Sequence, residues 1–592
     1  MRFYKTTLQW LKKNKLWAFF AGLFLIALWE VPYIFVGNRI EWGDFSMFMQ
    51  GYEAIRITVL QYGQFPWFNP WMAAGTPLYA NPQIGVFSLQ TLLVFIFGTS
   101  AGIKLSVALY TLIGYSSMCL LLRRYFKADW VITGLLSLAW VLNSFFIAHI
   151  PSHYTFIWYM ITPLFIYLAL TFDRKKYGGL LLGGAFAAMA LSQAHNPFFH
   201  ISLLTAVIIL IRLVRNYKKP KAILLQLVVA AGTFVILAGH RVLFTAQNAL
   251  EFPRILVDQA ATIPQSVLAF IVPYRVPPYT FIVYPNTPFG WQEITAYIGI
   301  GTLVAFAIAV ICTVAITSKN KKLPLKLTGF QLSIIIIGIV GTFLIGLGAV
   351  SDFAPYNALK QLPIISGMRV SSRWFIFTLF GIIIALAIIY SRLPKNIGRT
   401  LIVIFLAFGV GELYVANFGY QKHILSHITI PSTQQAKSYP FELSRQFGST
   451  RTFEDGTRIT EDDGNLPHFY REYEATTYNI GTIQANDSFI DLNTIEHPQC
   501  GYEDGCSFVL SGNARVISWS PNKIVLKRTS PGAIALNMNN SRYFEINGKR
   551  DASIRVVEAY RRFTIDDPSS TITIEAAPSL SPFTVKVKDP HS

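Results

Sequence analysis

Eleven apolar runs mark out the first 420 residues of this 592-residue chain, at about 16–36, 101–122, 129–148, 155–172, 178–194, 198–213, 222–243, 293–317, 329–350, 373–391 and 400–418. A run of about 20 apolar residues is long enough to cross the hydrocarbon core as a helix. Lipid leaves a crossing backbone few other ways to satisfy its polar groups. The runs therefore predict a polytopic α-helical membrane protein with about 11 transmembrane helices. The first run is too long for a signal-peptide core, and no small-residue cleavage site follows it, so it reads as an uncleaved span. The stretch 84–98 is apolar but short, which suits a half-helix that returns to the surface it left.

The net charge of +19 raises the question of nucleic acid, and its distribution answers it. Up to residue 419 there are 32 Lys+Arg against 11 Asp+Glu, and from 420 onward 18 against 20. The excess sits in alternate short loops: Lys12, Lys13 and Lys15; Arg123, Arg124 and Lys127; Arg174, Lys175 and Lys176; Arg215, Lys218, Lys219 and Lys221; Lys319, Lys321, Lys322 and Lys326; Arg392, Lys395 and Arg399. That is the positive-inside pattern of a membrane protein, and no nucleic-acid partner is expected. With the N-terminus inside, every basic loop falls on the cytoplasmic face. An odd number of spans then puts the tail outside.

The chain divides at about residue 420. Residues 1–419 form a multi-pass domain with a large first outer loop at 38–85 and another at 244–292. Residues 420–592 form an extracytoplasmic domain, mainly β from about 510. Its β-reading rests on Val516-Ile-Ser-Trp-Ser, Lys523-Ile-Val-Leu-Lys, Ala533-Ile-Ala-Leu-Asn, Ile554-Arg-Val-Val-Glu and Thr571-Ile-Thr-Ile-Glu, with a turn signal at Asn547-Gly548. Cys500 and Cys506 are the only cysteines of the tail, and their turn-rich loop suits a local disulfide in an oxidising compartment.

Acids are scarce in the membrane part, so each one carries information. Glu41 and Asp44 follow the first span, three residues apart, and would share a face on a helical turn. A carboxylate at that boundary suits general-base deprotonation of an acceptor hydroxyl. It equally suits a divalent cation, Mg²⁺ or Mn²⁺, or an ordinary solvated acid. The rest of that loop is rich in Pro and aromatics, with Trp67, Asn69 and Trp71 in Phe65-Pro-Trp-Phe-Asn-Pro-Trp. It reads as a sugar-stacking platform or as an interfacial aromatic belt. His149, His153, His195, Asn196 and His240 fall at span ends on the same face, with Glu293 opening a later run. Several polar groups near one membrane face mark a cavity more often than a single one does. Arg369 and Arg373, just before the tenth span, are the strongest phosphate candidates, because guanidinium forks grip phosphate oxygens bidentately. Lipid headgroup contact is the competing reading.

Taken in order, several of these pieces resemble a known family. They are Gly43-Asp44 after the first span, Phe65-Pro-Trp-Phe-Asn-Pro with Gly75-Thr-Pro, and Glu293-Ile-Thr-Ala-Tyr-Ile-Gly299. Leu362-Pro with Arg369 and Arg373-Trp, and Tyr543-Phe-Glu-Ile-Asn-Gly-Lys549, complete the set. The layout resembles the GT-C class of membrane glycosyltransferases and, more closely, the bacterial YfhO-like family. The resemblance implies an inverting transfer of sugar from a polyprenyl-phosphate donor to an envelope glycan or glycolipid acceptor, outside the bacterial plasma membrane. It implies Asp44 as base, with Arg369 and Arg373 on the donor phosphate. The chain has no adjacent Asp-x-Asp pair at this position, and Glu41-x-x-Asp44 is a looser spacing. The rival readings are a transporter or flippase for lipid-linked or polymeric glycans, and a non-catalytic scaffold.

Overall fold

The computed structural model describes residues 16–35, 39–40, 45–72, 75–192, 194–218, 220–251, 262–273, 293–320, 329–362, 368, 370–394 and 397–424 of the membrane part. Beyond 424 it describes mainly 508–510, 512–539, 543–550, 555–557 and 562–577, with short pieces between 428 and 482. Glu41, Asp44, Arg369, Cys500 and Cys506 lie outside the described residues.

Each of the eleven apolar runs contains helix. Seven helices among the described residues are long and apolar enough to cross a membrane: Thr99–Tyr125, Trp130–Ile150, Tyr154–Arg174, His195–Arg215, Lys221–Asn248, Ser371–Arg392 and Ile397–Ala416. Four shorter apolar helices, Trp17–Val31, Gly178–Leu191, Ile300–Ile316 and Ile335–Gly346, account for the other runs. Burial separates the centre from the rim. Trp130–Ile150, Tyr154–Arg174 and Ser371–Arg392 are 89% buried, whereas Lys221–Asn248 is 17% buried. Val228 and Ile236 of that outer helix stand 69% and 80% exposed. A contiguous aliphatic face of this kind is an aggregation surface in water and an ordinary one in lipid. The chain is a multi-pass membrane protein.

Three runs differ from the continuous helices that their hydropathy predicts. The run at 129–148 is interrupted after Val141: Asn143 caps a second helix, Ser144–Ser152, by accepting from the Phe146 N–H. The run at 155–172 begins as a 3-10 turn, Tyr154–Ile161, before Pro163 starts the α-helix Thr162–Thr171. The run at 293–317 becomes helical only at Ile300. There Glu412 of the last span accepts the Ile300 N–H at 3.0 Å, placing a carboxylate on the helix N-terminus, where the dipole favours it. Gly299 precedes it at φ +88, and a Cβ there would meet the Gly409 carbonyl oxygen at 2.7 Å. The seventh span overshoots its predicted end and runs to Glu251, so the outer loop expected at 244–292 starts later and includes a helix, Ile263–Ile271. The short stretch at 84–98 is indeed helical at Leu89–Phe97, capped by Ser88, and turns directly into the next span at Gly98.

From Ala514 onward the described strands of the tail form two antiparallel sheets. One has Phe544–Ile546, Thr571–Ala576, Lys523–Arg528 and Ala514–Ser520 in that spatial order; the other has Ile534–Asn539, Arg562–Ile565 and Arg555–Val557. Alternation along Thr571–Ala576 puts Ile572, Ile574 and Ala576 inside and leaves Thr571 and Glu575 exposed. Asn547 and Gly548 both take positive φ, as a tight two-residue turn requires.

The loop that follows the first apolar helix docks on this module. Its helix Phe45–Arg56 is followed by a short ladder, Phe68–Asn69 against Thr76–Pro77. Phe68 enters the module's own core and meets Phe544 at 4.9 Å between ring centroids. Asn522 ties the seam together: its side chain accepts from Phe68 N at 3.3 Å and donates to Phe65 O at 2.6 Å, and its backbone N–H donates to Gln64 at 3.2 Å. Asn522→Ala takes the side-chain acceptor from the Phe68 N–H and one of two donors from the Phe65 carbonyl, which keeps the Trp67 N–H at 2.8 Å. A cost of about 1–3 kcal/mol to docking is expected. It should appear as earlier protease release of the tail, with helical content unchanged; an unaltered digestion profile would remove Asn522 from the seam.

Candidate functional site

The break in the third span and the 3-10 start of the fourth accompany a cluster of buried polar side chains inside an otherwise apolar bundle. Non-helical backbone at membrane depth is tolerated where protein or a cavity surrounds it. The Ser144 N–H, freed at the first break, donates to Tyr297 O at 2.9 Å. His149 lies on the short helix that follows, fully buried. His153 ends that helix and begins the 3-10 turn. Arg373 comes from a second 3-10 turn, Ser371–Trp374, which both of its serines pin in place. Ser371 Oγ donates to Gly346 O at 3.1 Å and Ser372 Oγ to Glu293 O at 2.5 Å.

Glu293 is the centre of this group. Its carboxylate accepts from Arg373 Nε at 3.2 Å and from Nη2 at 3.0 Å, a two-point fork. The other carboxylate contacts are His153 Nε2, in hydrogen-bond contact with Oε1, and His149 Nε2, 3.5 Å from Oε2. Both ion-pair partners are buried, Glu293 at 5% and Arg373 at 6% exposure.

The tautomers follow from the partners. His149 Nδ1 faces Phe145 O at 2.8 Å, so it carries a hydrogen. His153 Nε2 also lies 3.1 Å from Arg373 Nη2. One ring nitrogen cannot both donate to Glu293 and accept from Arg373, and the carboxylate is the stronger claim. Behind the cluster, Arg373 sits over the Phe156 ring at 4.9 Å. Tyr159 OH and His200 Nδ1 are 2.5 Å apart, and the His200 ring lies 4.6 Å from that of Trp374.

Of the residues singled out in the sequence, the structure brings together His149, His153, Glu293 and Arg373. Others gather at the seam between the first outer loop and the tail. Trp71 is fully buried and donates through Nε1 to Asn479 at 2.9 Å. Asn69 exchanges hydrogen bonds with Gln50 at 3.3 and 3.0 Å. Trp67 packs on Tyr79 and Phe244, and His240 stacks on Tyr79 with 6.0 Å between centroids. The covered rings of Trp71 give a sugar no face to stack on. His195 and Asn196 open the span His195–Arg215, with Asn196 buried. Tyr159, Phe156 and Ser372 were not apparent from the sequence, since a tyrosine or serine in an apolar run has no spacing that marks it. Among the described residues no group of three or more His, Cys, Asp or Glu has the arrangement of a metal site.

No protein-family model matches the chain, so the YfhO-like resemblance has no family match behind it, and a search of curated proteins returns no match. The chain is similar to ArnT from Cupriavidus metallidurans bound to undecaprenyl phosphate, at 12% identity and a TM-score of 0.36, over 79% of this chain and 86% of that one. It is also similar to the archaeal oligosaccharyltransferase AglB from Archaeoglobus fulgidus in complex with an inhibitory peptide and a dolichol-phosphate. There the identity is 12% and the TM-score 0.38, over 72% of this chain and 58% of that one. A likeness this loose leaves the reading of the site to the site's own residues.

Proposed function

We propose that this chain is a membrane glycosyltransferase that moves a sugar from a polyprenyl-phosphate donor to an envelope glycan or glycolipid, on the non-cytoplasmic face of a bacterial plasma membrane. The observation that carries the reading is the buried Arg373–Glu293–His153–His149 cluster. It is an anion-binding guanidinium held at the broken ends of the most buried spans. Charged groups so placed are costly, and function is the usual reason they persist. Glu293 and its histidines keep Arg373 in one orientation. The helix Phe45–Arg56, which follows Asp44 in sequence, supports the reading further: its Phe48 and Tyr52 lie 6.1 and 6.3 Å from the Tyr154 ring, next to His153.

In the proposed reaction an acceptor hydroxyl oxygen attacks the anomeric carbon of the donor. The bond from that carbon to the phosphate oxygen breaks, and the polyprenyl phosphate leaves with the electron pair. Asp44 takes the hydroxyl proton, and the configuration inverts. Arg373, with Arg369, stabilises the phosphate as negative charge develops on it. Glu41 and Asp44 are the carboxylates available to a divalent cation, and the proposed steps need none. The test is transfer in membranes carrying this chain, supplied with radiolabelled polyprenyl-phosphate sugars. Label is expected to pass into an envelope acceptor fraction and to stay in the lipid fraction in membranes without the chain. Equal label transfer in the two membranes, with every common donor sugar, would overturn the reading.

A further inference from the structure

One bidentate edge of Arg373 is already taken. Nε and Nη2 form one of the two guanidinium edges that can grip a pair of anionic oxygens. Both are given to Glu293, at 3.2 and 3.0 Å. A carboxylate and a phosphate offer this edge the same thing, two oxygens sharing negative charge. We propose that Glu293 is a built-in stand-in for the donor phosphate: its carboxylate fills the Arg373 fork while the site is empty, and an incoming phosphate ester displaces it. This rests on the reading of Arg373 as the phosphate residue.

The surroundings suit an exchange of side chain without movement of backbone. The Glu293 carbonyl is held by Ser372 Oγ, and three residues on, Ala296 N donates to Ala269 O at 3.0 Å. The carboxylate keeps a partner when it leaves the fork, since His153 Nε2 already touches it. A bare guanidinium at 6% exposure would be an uncompensated buried charge. The stand-in avoids that state before substrate arrives. It also returns to the fork as the polyprenyl phosphate departs, so the same group that lowers affinity for the donor promotes release of the product.

Binding of undecaprenyl phosphate, and separately of inorganic phosphate, should be measured by titration calorimetry on the full chain in detergent. Glu293→Gln removes the competing charge and is expected to bind undecaprenyl phosphate at least about tenfold more tightly than the wild type. Glu293→Asp keeps the charge but draws it back by one methylene, and is expected to tighten binding by a smaller factor. If the Gln variant does not fold, the Asp variant decides alone. Inorganic phosphate is expected to follow the same order at lower affinity, because the fork reads oxygens. Tightening confined to the lipid ester would overturn the exchange. Weaker or unchanged binding by the Glu293 variants, with binding abolished in Arg373→Ala, would overturn the stand-in and leave the phosphate role of Arg373 intact. Unchanged binding by Arg373→Ala would overturn that role itself.

Discussion

Asp44→Asn is expected to lower the turnover of sugar transfer by roughly 10²–10⁴, the range set by removing a positioned general base. The substitution preserves shape and hydrogen-bonding capacity and removes basicity. Donor affinity should therefore be nearly unchanged, and the loss should appear in kcat. Glu41→Gln is the control, because it lies three residues away and carries the same charge. A small effect at Glu41 assigns the proton to Asp44. A large effect at Glu41 with none at Asp44 moves the base by three residues. Full transfer by a folded, inserted Asp44→Asn protein would remove the base from the mechanism, and the transporter and scaffold readings would lead.

Arg373→Ala is expected to destabilise the membrane part by about 3–5 kcal/mol, the cost of leaving one member of a buried ion pair without its partner. Side-chain exposures of 7% for Arg373 and 6% for Glu293 leave little water to soften that loss. Thermal unfolding in detergent checks this, and an unchanged midpoint would refute the account of the pair. The double variant Arg373→Ala, Glu293→Gln removes both charges and should recover much of the loss.

Hydropathy made the membrane segments legible because lipid imposes one requirement on every residue of a span, and an average detects it. The breaks at Asn143 and Tyr154 were hidden from the same average. They depend on particular hydrogen bonds, such as Ser144 N to Tyr297 O, between segments whose order in space the sequence does not state. The strands of the tail were legible from period-two alternation, as Thr571–Ala576 shows. The candidate site was half legible. His149, His153, Glu293 and Arg373 each stood out as polar groups at a span end. That Glu293 would occupy Arg373 was not visible, because the pair is 80 residues apart and nothing local couples them. Trp71 shows the opposite failure: an aromatic residue in a Pro-rich loop looks like a binding surface until the partner that covers it is known.

The insertion of Phe68 among the strands of the tail gives biogenesis an order. The loop that supplies this ring is made early, and the strands that enclose it come from the far end of the chain; Gly75 and its partner Asn539 are 464 residues apart. At a synthesis rate of roughly 5–20 residues per second, the loop waits for on the order of half a minute to a minute and a half before its partner exists. Throughout that interval Phe68 lacks the strands that cover it, although Trp67 and Tyr79 can already pack on Phe244. The tail closes its interior on a ring supplied by an earlier segment rather than on its own residues alone. Completion of that interior therefore depends on correct placement of the short ladder that follows the first span.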